Sequence, residues 1–156
     1  MKRKLYVPTL PKKLDKLQKE EVTEFYISAK NNVDLRYFNE DGKYYYVESI
    51  GSLTGPRRMI NEAEFKKKLK KHEGRVISKT RYYIPLNNTR RASLDVYGED
   101  LSGLNILEVD IRANDNFRKP KWAGGDLKNS YFGIYSLTNR PVSEIFNQVD
   151  DNLKVR

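Results

Sequence analysis

Apolar and polar residues alternate through most of the chain, the two-residue period of half-buried β-strands. The clearest runs are VTEFYISA (22–29), VDLRYFN (33–39), KYYYVESI (43–50), RVISKTRYYIPL (75–86), ASLDVYG (92–98) and NILEVDIRA (105–113), rich in tyrosine and β-branched residues. A shorter strand is expected at KLYV (4–7), and Asp41-Gly42 makes a hairpin of the runs on either side of it. The period becomes helical in three places. Leu10, Leu14 and Leu17 predict a brief lysine-rich surface helix. Phe65 and Leu69 mark the apolar stripe of another, with Asn61 as its cap, Glu64 three residues on and Gly74 as its stop. Val142, Ile145, Phe146, Val149 and Leu153 predict an amphipathic helix over about 141–153, with Pro141 in its first turn. No repeat, low-complexity tract or long linker separates these elements, so residues 1–156 read as a single domain of α+β class.

The alternation also sorts charge onto one face. Side chains of a strand point alternately to its two sides, so Ile77, Lys79, Arg81 and Tyr83 share a face opposite Val76, Ser78 and Thr80. In the same way Leu107, Val109 and Ile111 oppose Glu108, Asp110 and Arg112. Leu94 and Val96 oppose Ser93, Asp95 and Tyr97, while Val33, Leu35 and Tyr37 oppose Asp34, Arg36 and Phe38. Two arrangements satisfy this pattern. One is an antiparallel sheet with its apolar face on helices and its charged face in water, where cross-strand pairs contribute about 0.2–1 kcal/mol each. The other is a closed barrel with the charged face inside, where cations grip phosphate oxygens and carboxylates two residues apart hold a divalent cation. Periodicity alone is compatible with both. The consecutive Tyr44, Tyr45 and Tyr46 put rings on both faces of a strand, either for packing or for stacking on bases.

Charge and composition narrow the chemistry. Thirty basic and twenty-one acidic residues among 156 leave a net charge of +9, which favours an anionic partner such as a nucleotide, polyphosphate, nucleic acid or acidic protein. The absence of cysteine excludes disulfides, thiolate metal sites and thiol nucleophiles, and a lone histidine, His72, excludes a histidine-rich metal centre. The basic start MKRKLYVPTLP is interrupted by Pro8 and resembles neither a signal peptide nor a membrane span, which points to a soluble, cytoplasmic protein with no membrane partner. Five lysines between Lys66 and Lys71 suit a solvated helix face or a charged funnel toward a ligand entrance. Trp122, among prolines and glycines, suits a plug at one end of a barrel.

In order along the chain, KLYVPTLP, VTEFYI, VDLRYF, KTRYYI, SLDVYGEDLSGLNILEVDI and FRKPKWAGGDL resemble the CYTH or triphosphate tunnel metalloenzyme superfamily, which includes inorganic triphosphatases, thiamine triphosphatases and class IV adenylate cyclases. Lys-Thr-Arg-Tyr, Leu-Asp-Val-aromatic, Glu-Val-acidic and Pro-x-Trp-x-Gly are the most specific of these matches. The resemblance implies a closed, antiparallel, eight-stranded β-barrel with peripheral helices, a tunnel whose inward cations hold a triphosphate and whose carboxylates hold Mg²⁺ or Mn²⁺. It implies phosphate contacts at Lys4, Arg36, Lys79 and Arg81, and metal ligands at Asp95, Glu108 and Asp110. This chain also departs from the pattern. Lys2 and Met1 stand ahead of Lys4 where a Glu-x-Glu pair belongs, Phe38 replaces the second arginine of Arg-x-Arg, and the lysine expected near Ser49 is missing. Met59, Asn61 and Ser93 replace acids, and SYFGIY stands where an arginine belongs.

Those losses fall mostly in the first half of the barrel, and metal-assisted phosphoryl transfer needs more placed charge than the second half alone supplies. The leading expectation is therefore a tunnel that binds a phosphate-rich anion, a nucleotide or triphosphate, with weak or no hydrolysis. The alternatives are a divalent-metal-dependent triphosphatase and a nucleic-acid binder using the basic exterior.

Overall fold

The structure, a computed structural model, describes residues 2–28, 31–51, 53–86, 91–111 and 117–149. Nine strands form one antiparallel sheet: β1 (Lys2–Tyr6), β2 (Lys19–Ser28), β3 (Val33–Glu40), β4 (Lys43–Ile50), β5 (Leu53–Thr54), β6 (Arg58–Ile60), β7 (Glu73–Pro85), β8 (Arg91–Tyr97) and β9 (Asn105–Asp110). Their order is β1-β9-β8-β7-β2-β3-β4-β5, with β6 also paired to β4. The long alternating runs thus became strands close to their predicted limits, and Asp41 and Gly42 turn the β3–β4 hairpin with the positive φ angles, 50° and 83°, that a two-residue turn of this hand requires.

The helical expectations fared unevenly. Asn61 caps helix α1 (Glu62–Leu69) by accepting from the Glu64 amide at 2.8 Å, as its sequence position implies. Gly74 does not stop that helix; it lies inside β7 at φ +70°, where a Cβ would sit 2.0 Å from the Thr138 carbonyl oxygen. The lysine-rich segment around Leu14 forms one 3₁₀ turn, Leu14–Lys16, rather than an α-helix. Pairing with β7 captures the chain from Lys19 onward, and Leu14 and Leu17 pack beneath the sheet without needing a helix. The C-terminal part folds as α2 (Asn129–Phe132), α3 (Ile134–Asn139) and α4 (Val142–Asn147), with Pro141 as the residue before α4. The end of the predicted helix at Leu153 lies outside the described residues.

The sheet buries apolar side chains on both faces. Leu5, Leu94, Leu107 and Val109 form an outer cluster, closed over by Phe117, Trp122 and Ala123. Trp122 therefore packs on the side of the sheet away from the charged face, which corrects its expected role as a barrel plug. A second outer cluster joins Phe25 and Tyr37 to Phe65 of α1, with Tyr44 and Tyr46 against it. On the inner face, Tyr6, Ile77, Tyr97 and Ile106 meet Phe132, Leu137 and Ile145 of the C-terminal helices. Burial on this scale is the main stabilising term, about 25 cal/mol per Å² of apolar surface removed from water.

One irregularity sets the site. The β2–β7 register slips between Glu24 and Tyr26, so that Glu24 faces Ile77 but Tyr26 faces Glu73. Such a bulge bends the strand and re-aims side chains. Arg75, within it, donates to the carbonyls of Leu137 and Arg140 and so ties α3 to β7 across the inner face. Closure is where the sheet differs from the expected barrel: among the described residues no hydrogen-bonded ladder joins β1 to β5 or β6, so an open antiparallel sheet is what the ladders define. Among the described residues β1 forms a ladder only with β9, and its other side bonds the backbone of residues 124–127, with a bridge from Leu5 to Asp126, rather than β5 or β6. No helix among the described residues is long and apolar enough to cross a membrane.

Candidate functional site

The inner face of β1, β9, β8, β7, β2 and β3, together with α2 and α3, bounds a cavity of about 540 Å³. Alternation places its charges there. Lys2 and Lys4 come from β1, Glu24 from β2, Arg36 from β3, Lys79 and Arg81 from β7, Asp95 from β8 and Glu108 from β9. Register then decides the neighbours. Arg81 pairs across the ladder with Asp95, and Lys4 with Glu108. Phe132, Ile134 and Leu137 supply the apolar wall opposite the sheet.

A chain of buried ion pairs crosses the floor. Lys79 Nζ lies 3.0 Å from Glu24 Oε1 and 2.9 Å from Asp95 Oδ2, with all three side chains about nine-tenths buried. Arg81 grips both Asp95 oxygens, at 2.9 and 3.3 Å, and reaches Glu40 at 3.4 Å. Two charges taken out of water recover that cost only when the geometry is good and the remaining lone pairs are used, and here each carboxylate meets at least one cation directly. Burial raises the pKa of Glu24 and of Asp95, but Lys79 and its neighbours Arg36 and Arg81 outweigh it, so both carboxyls stay below the usual range. Burial likewise lowers Lys79, and Glu24, Tyr97 and Asp95 reverse that, holding it well above an ordinary lysine. The Tyr97 ring, 5.2 Å from the ammonium, has its hydroxyl pushed up to about 12, by burial first. Glu24, Asp95, Lys79 and Arg81 are thus charged at neutral pH, whereas the Tyr97 hydroxyl stays protonated.

Two cavity cations are placed differently. Lys4 reaches only the Phe132 carbonyl, at 3.5 Å, and Arg36 lies on the Phe38 ring at 4.6 Å. Neither makes a salt bridge among the described residues. Burial lowers the pKa of Lys4, against the pull of Glu108 and with the help of Lys79. Five cations against three carboxylates line the cavity, so it carries a surplus of two positive charges in a partly dehydrated space.

The structure brings together six of the seven residues singled out from the sequence: Lys4, Arg36, Lys79, Arg81, Asp95 and Glu108. Asp110 is not among them. It is the last residue of β9, exposed at the end of the ladder beside Lys2. Glu108 itself lies 3.3 Å from Lys2 Nζ. For Mg²⁺ or Mn²⁺ the donor set is unfavourable: both Asp95 oxygens are occupied by Lys79 and Arg81, and among the described residues no three acidic or histidine side chains are placed to share a cation.

Glu24 is the main residue the sequence reading passed over. It is a lone acid in an otherwise apolar stretch, VTEFYI, two positions from Tyr26 on the inward side, and that phase was a usable signal. Lys2 and Tyr83 share faces with Lys4 and Arg81 by the same rule. Glu40 and Arg57 join through long-range packing that no local pattern announces: Arg57 pairs with Glu40 and lies over both Phe38 and Tyr45. The lysines of α1 stand on the outer side of the sheet, where Phe65 anchors the helix, and none of them borders the cavity. The tyrosine triplet divides, with Tyr44 and Tyr46 in the outer cluster and Tyr45 stacked on Phe38 inside, ring centroids 5.4 Å apart.

No protein-family model matches this sequence, and no curated protein matches it. The fold is similar to two solved structures of NE1496, one described as an inorganic triphosphatase and the other as a hypothetical protein. Each is 24% identical with a TM-score of 0.73, over 88% of this chain and 96% of the other. The resemblance to the triphosphate tunnel proteins is borne out at the level of the fold.

Proposed function

We propose that this chain, which shares the fold of an inorganic triphosphatase, binds a phosphate-rich anion in its basic cavity and hydrolyses it weakly or not at all. The observation that carries the proposal is the surplus of cationic side chains in the cavity, with Lys4 and Arg36 held there without salt-bridge partners. Half-buried charge of one sign is costly until an opposite charge arrives, and phosphate oxygens supply it. Arg36 offers a planar fork of donors and Lys4 a compact point charge, while Arg81 and Lys79 present their remaining donors from the floor. A nucleotide or a triphosphate meets these requirements.

Weak turnover follows from the state of the carboxylates. A general base works best with a pKa near the operating pH. Glu24 and Asp95 are held below the usual carboxylate range by their cations, so neither readily takes a proton from an attacking water. Mg²⁺ or Mn²⁺ would supply electrostatic activation of phosphate and water, but the donor set does not favour a resident ion, and no step is assigned to one.

Calorimetry with tripolyphosphate and ATP, with and without Mg²⁺, tests the binding. Saturable, salt-sensitive binding is expected, and its absence with both probes would end the proposal. A phosphate-release assay with Mg²⁺ and Mn²⁺ tests the second part: turnover above about 1 s⁻¹, the ordinary range of enzymes, would establish a metal-dependent triphosphatase instead. That second reading is favoured by the shared fold and by the presence of Asp95 and Glu108 on the cavity wall.

A further inference from the structure

Beside the basic cavity lies a second recess of about 270 Å³, and the two share Arg36 and Ile134 as walls. Its chemistry differs. Val47, Ile134 and the rings of Tyr26 and Tyr135 make most of its surface apolar, with Asp34 and Ser49 as polar points. An inorganic phosphate chain gains nothing from such walls, because each oxygen moved into apolar surroundings loses its hydration. An organic group gains by burial.

The recess also has a shape preference. Tyr135 is a large aromatic residue left 60% exposed. Its ring is nearly perpendicular to that of Tyr26, centroids 5.3 Å apart at 80°, and its exposure leaves ring surface for a planar partner. The volume is below the roughly 300–1,000 Å³ of sites that enclose drug-sized ligands, which fits one ring system and little more. Asp34 lines the recess beside Tyr26, whose hydroxyl is pushed up to about 12 by burial first and by Asp34 second, and its side chain has acceptor capacity for a ligand donor such as an amino or hydroxyl group.

Resting on the anion-binding reading above, we infer that this recess is a subsite for the organic part of a phosphate ester. The ligand is a nucleoside-sized compound with a planar ring bearing an amino or hydroxyl group. Its phosphates lie among Lys4, Arg36 and Arg81, its ring stacks on Tyr135, and Arg36 stands at the junction. Inorganic tripolyphosphate fills only half of the site.

The test is calorimetry of the full chain in Mg²⁺-free buffer with ATP, GTP, CTP, UTP and tripolyphosphate, on the wild type and on Tyr135→Ala, Ser49→Phe and Arg36→Ala. Tyr135→Ala is expected to weaken at least one nucleotide by about tenfold, the loss of one stacked base, while tripolyphosphate affinity stays within about twofold. Ser49→Phe, which fills the recess, should reproduce that split, and its retained tripolyphosphate binding shows that the variant is folded. Arg36→Ala should weaken both kinds of ligand. If tripolyphosphate binds the wild type but Tyr135→Ala and Ser49→Phe change no nucleotide selectively, the subsite is overturned while anion binding survives. If neither nucleotides nor tripolyphosphate bind the wild type, both proposals fall together.

Discussion

Glu24→Gln tests the electrostatic design of the cavity because it should weaken the fold and strengthen the site. The side chain is buried 3.0 Å from Lys79, on the wall that an anionic ligand would approach. Removing its charge raises the surplus in the cavity from two positive charges to three. At about 8 Å and an effective dielectric constant of about 20, the lost repulsion is worth ~2 kcal/mol per ligand charge. Screening over one Debye length of about 8 Å leaves ~0.8 kcal/mol per ligand charge, so two tripolyphosphate charges at that range tighten its Kd by at least about tenfold. Stability moves the other way. Lys79 keeps Asp95 at 2.9 Å, and the amide oxygen can still accept from it, so the cost is ~1–2 kcal/mol rather than the ~3–5 kcal/mol of an orphaned buried charge. Calorimetry with tripolyphosphate and a urea melt on the same preparation measure both effects. Glu24 has a lowered folded-state pKa, so its contribution is fully present above its unfolded value of about 4.3 and is lost as pH falls through the lower folded value. The variant should therefore lose less stability than the wild type on acidification below about pH 4. A variant destabilised as described whose tripolyphosphate affinity is unchanged or weaker would refute the reasoning, since Glu24 would then not face the ligand.

The remaining predictions use other parts of the molecule. Lys4 has a lowered pKa, so its positive charge is lost as pH rises through a value below the ordinary ~10.4; tripolyphosphate affinity should decline earlier on the alkaline side in the wild type than in Lys4→Arg, as a pH series of Kd values will show. Gly74→Ala should cost at least ~2 kcal/mol in a urea melt, because the residue has positive φ and its Cβ would collide with the Thr138 carbonyl. Asn61→Ala removes the cap of α1 and should cost ~1 kcal/mol without altering tripolyphosphate affinity, since α1 lies on the other side of the sheet. Mg²⁺ alone should leave the melting temperature of the ligand-free protein within about 1 °C, because linkage stabilises only in proportion to binding of the folded state; a larger rise would show that Asp95 and Glu108 hold a cation after all.

Local pattern was enough for the strands and for the sorting of side chains onto two faces. Alternation is a property of each strand alone, so Lys79, Arg81, Asp95 and Glu108 could be placed on one side of the chain before any pairing was known. The cap at Asn61 and the turn at Asp41-Gly42 were legible for the same reason, because the groups that satisfy them lie within a few residues. Tertiary structure decided everything that depended on partners distant in sequence. Pairing from Lys19 with Tyr82 onward left the predicted helix only one 3₁₀ turn, and contact with Thr138 gave Gly74 its meaning. Strand register put Arg81 opposite Asp95, which ties up the carboxylate expected to hold a metal, and left Asp110 at the end of its ladder outside the cavity. The nature of each charged side chain was written locally; whether it meets a cation, a ligand or water is set by which strand lies beside it, and ladder geometry fixes that only after the whole sheet has assembled.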